Sequence, residues 1–270
     1  MPCACRSIVT GMARKKRLIE VEAIFGRLLA FPDDLITKQI VKFGAHTRPE
    51  LAMLLSVTQP GDLVFDLGAH IGTFAIPLAQ KVGSAGRVVA VEAFPRTFRV
   101  LQRNLRRNGV DHITTAVNAL IGPKGLSFVA VRGQRNTGGT RFDTVETLDG
   151  HTDIERLGID ALCAAYFPPR VMKIDIEGFE VLVLSASQVV PDLKPVLYTE
   201  VSARSLSRMG NSIAELDALL RGWGYRLFRN VAPRNGPTDH FEIQELASLT
   251  EGGGFFDVLA IHATDQRLWA

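Results

Sequence analysis

The densest chemistry in the chain is the run Lys173-Ile174-Asp175-Ile176-Glu177-Gly178-Phe179-Glu180, with four ionisable groups in eight residues. Two-residue alternation places Lys173, Asp175 and Glu177 on one side. Paired carboxylates beside an ammonium suit proton transfer, because neighbouring acids hinder each other's ionisation and a cation orients or balances them. Lys173, Asp175 and Glu177 are therefore the candidate catalytic residues, with Asp175 or Glu177 taking a proton. A divalent ion on Asp175, Glu177 and Glu200 is an alternative use of the same oxygens. Carboxylate clusters more often form networks with lysine, so no metal is expected. A second constellation is Asp66-Leu67-Gly68-Ala69-His70-Ile71-Gly72. Gly68 and Gly72 would let the backbone pass close to a ligand. A dinucleotide site needs a central glycine where the pyrophosphate approaches, and His70 holds that position. A nucleoside with a shorter tail of amine and carboxylate fits better, with Asp66 as the anion facing the amine. Glu92, twenty residues beyond Gly72, suits a carboxylate accepting two hydrogen bonds from a ribose diol. Asn118 and Ala119 are placed to line an adenine ring.

Such groups need a scaffold that gathers strand ends. Short apolar runs at Leu63-Val64-Phe65, Val88 to Val91, Ile113 to Leu120, Val171 to Ile174 and Pro195 to Tyr198 lack polar alternation. Helix-like stretches separate them: Phe74 to Val82, Phe94 to Asn108 and Phe179 to Ala186. Strands covered on both faces and joined by crossover helices predict a doubly wound α/β fold with a mostly parallel sheet. Ligands then bind outside the carboxyl ends of the strands, where the candidate residues fall. Ser212 opens a helix to Arg221 with a capping box completed by Glu215. Gly224 to Phe228 and Phe255 to Ile261 close the chain as strands. Gly122 to Gly125 turns into a run from Leu126 to Arg132, and Gly133 to Gly139 reads as a loop. Upstream, Leu18 to Phe31 reads as an amphipathic helix and Leu35 to Phe43 as an early strand or hairpin arm. Pro49 opens a helix over Glu50 to Val57. The division expected is an extension and lid over residues 1–48 and a catalytic domain over 49–270. His46 lies just ahead of the first domain helix, where a lid could cover an acceptor.

Composition narrows the classes. The 270 residues are 46% hydrophobic and 22% charged, which excludes a disordered chain, a collagen-like fibre and a disulfide-stapled miniprotein. A net charge of +3 falls short of a dedicated nucleic-acid binder, so no nucleic acid is expected as a partner. Arg96, Arg99, Arg103, Arg106 and Arg107 share one helix in the pattern of a solvated face. Three cysteines, with Cys3 and Cys5 two apart and Cys163 alone, fit a reducing, cytoplasmic compartment. The basic run Arg14 to Arg17 follows a weakly apolar opening, the reverse of a secretory signal. No stretch approaches the roughly 18 apolar residues of a membrane span.

Together, Asp66 to Gly72, Glu92 and the Lys173 to Glu180 segment resemble the FkbM-type S-adenosylmethionine-dependent methyltransferases, from about Pro49 to Glu200. Phe256 to Ala260 is similar to that family's closing strand. The resemblance implies a seven-stranded Rossmann-like class I sheet, its last strand antiparallel, and S-adenosylmethionine as cofactor. It implies methyl transfer to a hydroxyl of a small molecule, sugar or glycan, or polyketide-type product. Asp66, Gly68 and Gly72 would line the methionine end, Glu92 would hold the ribose, and Ala69, Asn118, Ala119 and Asp175 would complete the cofactor site. His70 and Phe179 stand where the family more often has Asn and a small residue, the latter a change that would reshape the acceptor pocket. Two other classes stay open: a nucleic-acid methyltransferase, and a cofactor-binding scaffold without catalysis. Oligomeric state is not encoded in any motif.

Overall fold

The computed structural model describes residues 17–122, 128–131, 141–144 and 155–267. Cys3, Cys5, the basic run through Lys16 and the Gly133 to Gly139 loop lie outside the described residues. The first elements differ from the sequence expectation. Residues 18–31 form no helix but a hairpin, β1 (Ile19–Ala23) against β2 (Gly26–Ala30). The physical cause is two-residue alternation: Val21, Ala23, Leu28 and Ala30 are buried, while Glu20 and Glu22 face solvent. The next stretch is not a strand but α1 (Leu35–Phe43). The Asp34 carboxylate accepts from the Ile36 N–H at 3.2 Å, and Gly44, at φ 79°, ends the helix by donating to the Ile40 carbonyl. Those caps outweigh the strand preference of the run's isoleucines and valine.

From there the expected alternation is realised: α2 (Arg48–Val57), β3 (Leu63–Leu67), α3 (Ala75–Val82), β4 (Arg87–Val91), α4 (Pro95–Arg107) and β5 (Thr114–Val117). The third apolar run splits after β5. Its end becomes β6 (Ala119–Ile121), which leaves the sheet and pairs with β9 (Glu155–Leu157), while β7 (Phe128–Val131) and β8 (Arg141–Thr144) form a separate hairpin. The chain continues through α5 (Ile159–Ala165), β10 (Val171–Ile174), α6 (Glu180–Ser185), α7 (Val190–Leu193) and β11 (Val196–Ser202). Next come α8 (Ala203–Arg208), α9 (Ile213–Gly222), β12 (Tyr225–Asn230), β13 (Ile243–Glu245) and β14 (Phe255–His262). Both halves of the Ser212–Glu215 capping box form at the start of α9.

The main sheet runs β13-β12-β14-β11-β10-β3-β4-β5. Its seven longer strands match the expected set, with β14 inserted antiparallel between β11 and β12, and the three-residue β13 extends the edge. Two apolar clusters cover opposite faces, one holding Val64, Val88 and Val171 and the other Phe65, Val89 and Met172. From β3 the chain winds one way to β4 and β5, then returns to build β10 and β11 on the other side. The resulting switch point between β3 and β10 opens a cleft at their carboxyl ends.

The N-terminal hairpin and α1 pack on the first cluster, with Leu28, Ala30 and Ile40 fully buried. Two asparagines of α4 grip the hairpin's edge as a neighbouring strand would. Asn104 accepts from the Leu29 N–H at 2.8 Å and donates to the Leu29 carbonyl at 3.0 Å. Asn108 treats Arg27 the same way, at 3.1 and 3.0 Å. Asn104 also donates to the Ile71 carbonyl at 2.9 Å, joining the hairpin to the glycine loop.

Candidate active site

Parallel register puts Lys173 of β10 beside Asp66 of β3 on one flank and Tyr198 of β11 on the other. All three are buried and share a face of the sheet. The Lys173 ammonium lies 3.2 Å from Asp66 Oδ1 and 3.5 Å from Asp175 Oδ2, donates to the Gly68 carbonyl at 3.4 Å, and sits 5.1 Å from the Phe74 ring centre. Burial alone would push the Lys173 pKa down, but Asp66 and Asp175 more than offset it and hold the ammonium above its ordinary range. For Asp66 burial wins: its carboxyl is held above the ordinary range although Lys173 pulls it down.

The glycine loop has the expected residues for a different reason. Gly68 has φ 85°, and a Cβ there would lie 1.9 Å from the Asp175 carbonyl oxygen. Gly72 has φ 96°, and its Cβ would press on Leu101 and Ile76 at 3.1 and 3.2 Å. Both positions are therefore required by the protein's own packing. Only Gly68 also lines the cleft, since Gly72 lies outside it. His70, at φ 49°, adopts the left-handed conformation that Asn and His tolerate best among non-glycine residues, which accounts for His in Asn's place. Its N–H donates to Glu92 Oε2 at 2.9 Å, and the Phe94 N–H donates to Oε1 at 2.8 Å. Glu92 thus staples the loop while lining the cleft, and burial raises its pKa to about 7.

The cleft holds about 780 Å³ of empty space when its solvent-open mouth is counted. Asp66, Gly68, Ala69, Glu92, Ala119, Lys173, Asp175 and Glu177 all line it. Asn118 does not. Its amide instead donates to the Glu92 and Ala93 carbonyls at 2.7 and 2.9 Å, fixing the turn beside the cleft. Phe179 is fully buried in the second apolar cluster, so it does not reshape the pocket. Glu180 turns back on its own loop, accepting from the Ile176 and Gly178 N–H groups at 3.2 Å each, and burial raises its pKa to about 7. That brace holds Glu177 in the left-handed region at φ 58°.

Apart from His46, the further groups around the site are not legible as such in the sequence. Ile36 and His46 line the cleft from the N-terminal segment, and Phe31 lies beside His70 with ring centres 6.4 Å apart. Arg234, in the loop after β12, binds Asp257 at 2.6 Å and Glu200 at 3.4 Å. Glu50 of α2 accepts from Asn230 at 3.0 Å, and burial and then Asp257 raise its pKa to about 8. These ties join chain segments 23 to 180 residues apart, and no spacing announces them. A proline opening α2 was the only local signal near Glu50. Among the described residues no three His, Cys, Asp or Glu side chains stand as a metal-holding group. Of the α4 arginines, Arg99, Arg103, Arg106 and Arg107 are exposed, and Arg107 pairs with Glu20. No helix among the described residues is long and apolar enough to cross a membrane.

The methyltransferase FkbM domain matches residues 66–227. A ubiquinone/menaquinone biosynthesis C-methyltransferase from Hydrogenovibrio crunogenus is 28% identical over 209 residues, covering 76% of this chain and 73% of the relative. A ribosomal protein L11 methyltransferase from Chloroflexus aurantiacus is 40% identical over 81 residues, covering 29% of this chain and 24% of its own length. A precorrin-6y C5,15-methyltransferase structure from Geobacter metallireducens aligns with a TM-score of 0.45 at 17% identity, over 79% of this chain and 86% of that one.

Proposed function

The chain belongs to the FkbM methyltransferase family, and from that premise we propose that it methylates a hydroxyl group of a small molecule, sugar or glycan, or polyketide-type product. S-adenosylmethionine is the cofactor, and when bound it supplies an electrophilic methyl group on a positively charged sulfur. The residues present fit it. Asp66 and Asp175 supply anionic oxygens against a tail amine, with Lys173 between them. Gly68 and Ala69 form the floor beside that tail, Glu92 faces a ribose diol, and Ala119 adds apolar surface for the base. Most of the acceleration expected from these residues is positional, since they would hold an acceptor oxygen in line with the methyl group.

The observation that carries the reading is the row Asp66, Lys173 and Asp175 at the switch point, the first two buried and Asp175 partly exposed, with Glu92 across the same cleft. In our reading Lys173 stays protonated and fixes Asp175, while Asp175 and Glu177 face the acceptor side and orient its hydroxyl. The test is incubation with methyl-labelled S-adenosylmethionine and a panel of methyl glycosides, phenols and aliphatic polyols, with amines, carbon acids and RNA alongside, followed by product analysis. A label surviving base hydrolysis as a methyl ether supports hydroxyl methylation. Label found only on carbon or nitrogen acceptors, or on RNA, refutes it and leaves the methyltransferase assignment standing.

A further inference from the structure

His46 enters the cleft from the turn between α1 and α2 and is outside the family match, which begins at residue 66. Its Nδ1 is hydrogen-bonded to Gln39 Oε1, one turn from the end of α1. With the Gln39 amide oxygen assigned as the acceptor, Nδ1 would carry the ring proton and leave Nε2 its lone pair. Among the described residues nothing hydrogen-bonds Nε2, and the ring forms part of the cleft wall with Asp175, Lys173 and His70. We propose that His46 is a catalytic residue of the methyl transfer, its Nε2 receiving the proton of the acceptor hydroxyl. This rests on the hydroxyl reading above.

The step balances without a further reagent. The hydroxyl O–H bond breaks, the oxygen–methyl bond forms, and the methyl–sulfur bond breaks with its electron pair left on sulfur. The products are a methyl ether, a thioether and a His46 imidazolium. Charge is conserved inside the cleft, because one positive charge disappears from sulfur as another appears on the ring. No new charge must be desolvated, and Asp175 faces a cation before and after. The groups acting on His46 are Arg234, Asp175, His70 and Lys173. Burial, then Arg234, lowers its pKa to about 3, so the lone pair is available throughout the neutral range. A weak base is sufficient here: as the methyl–oxygen bond forms, the oxygen takes on oxonium character and its proton becomes strongly acidic. Asp175, by contrast, is already engaged by Lys173 at 3.5 Å.

Two measurements on the full chain test this. Two-bond proton–nitrogen spectra of histidine-labelled protein with S-adenosylhomocysteine, assigned with His46→Gln, should show Nδ1 protonated and Nε2 bare from pH 5 to pH 8. Protonated Nε2 in that range overturns the proposal. For each glycoside or phenol probe that the native chain methylates, His46→Gln should lower kcat by about 100-fold or more. Its S-adenosylhomocysteine affinity should stay within a few-fold, and Gln39→Leu should give an intermediate loss of kcat. Turnover of His46→Gln within threefold of native overturns the proposal alone. If S-adenosylhomocysteine binds but no hydroxyl probe is methylated, the hydroxyl reading fails and takes the proposal with it.

Discussion

Removing the Lys173 ammonium should destabilise the chain in a pH-dependent way, because it strands Asp66. Asp66 is fully buried and its close cation is Lys173, 3.2 Å away. At an effective dielectric of about 20, that pair is worth about 5 kcal/mol, and breaking buried pairs costs about 3–5 kcal/mol. In Lys173→Met, Asp66 has an escape, which is to take a proton in the folded state. Relative to its ordinary value of 3.8, protonation at pH 7 costs about 4 kcal/mol at about 1.4 kcal/mol per pH unit. At pH 5 the same step costs only about 1.6 kcal/mol. The folded variant then holds a proton that the unfolded chain releases, so its stability falls as pH rises above the ordinary carboxylate range. Urea unfolding followed by far-ultraviolet circular dichroism should show a loss of about 3–4 kcal/mol at pH 7, shrinking below about 2 at pH 5. Asp66→Asn in the Lys173→Met background should recover most of the pH 7 loss. A loss that is the same at both pH values, or that Asp66→Asn leaves untouched, would refute the reasoning.

Gly68→Ala should cost at least about 2 kcal/mol, because φ is 85° and the added carbon meets a backbone oxygen at 1.9 Å. Gly109→Ala, at φ 67° with nothing within 4 Å, should cost about 1 kcal/mol. Equal losses in the two unfolding curves would remove the packing explanation. Glu92, with its pKa raised to about 7, should ionise when a ribose diol donates to it. Calorimetry in buffers of different ionisation heat should show nearly one proton released per S-adenosylhomocysteine at pH 6 and an affinity gain of about tenfold from pH 6 to pH 8. Glu92→Gln should abolish both. Asn104→Ala removes three hydrogen bonds between α4, the hairpin and the glycine loop. It should cost about 2–3 kcal/mol and weaken S-adenosylhomocysteine binding, whereas Asn108→Ala, which does not touch the loop, should spare binding.

The sheet is legible because its central strands are short, mostly apolar without polar alternation, and separated by helices, a pattern with one common solution. The N-terminal segment is not, since 14 residues of mixed apolar and acidic character fit two periods. The Glu20 and Glu22 positions satisfy the two-residue period that β1 adopts. For α1 the deciding signals, Asp34 and Gly44, are single residues at each end, easily outweighed by Ile36, Ile40 and Val41. At the site, Asp66, Glu92, Lys173 and Asp175 could be found because strand ends gather without knowledge of side-chain contacts. The same logic extends to Gly72 and Asn118, where the structure shows the first closely packed by Leu101 and Ile76 and the second bracing a turn. Arg234, Asp257 and Glu50 meet only through tertiary folding, so no local pattern carries them.

Titration of the full chain with S-adenosylhomocysteine by calorimetry, with NAD as rival, tests the cleft most directly. A cleft built from Asp66, Glu92 and Asp175 binds S-adenosylhomocysteine and not NAD, and loses that binding in Glu92→Ala and Asp66→Ala variants shown by circular dichroism to be folded. A native chain that binds NAD instead, or folded variants that bind as tightly as the native chain, would contradict the placement of the cofactor in this cleft.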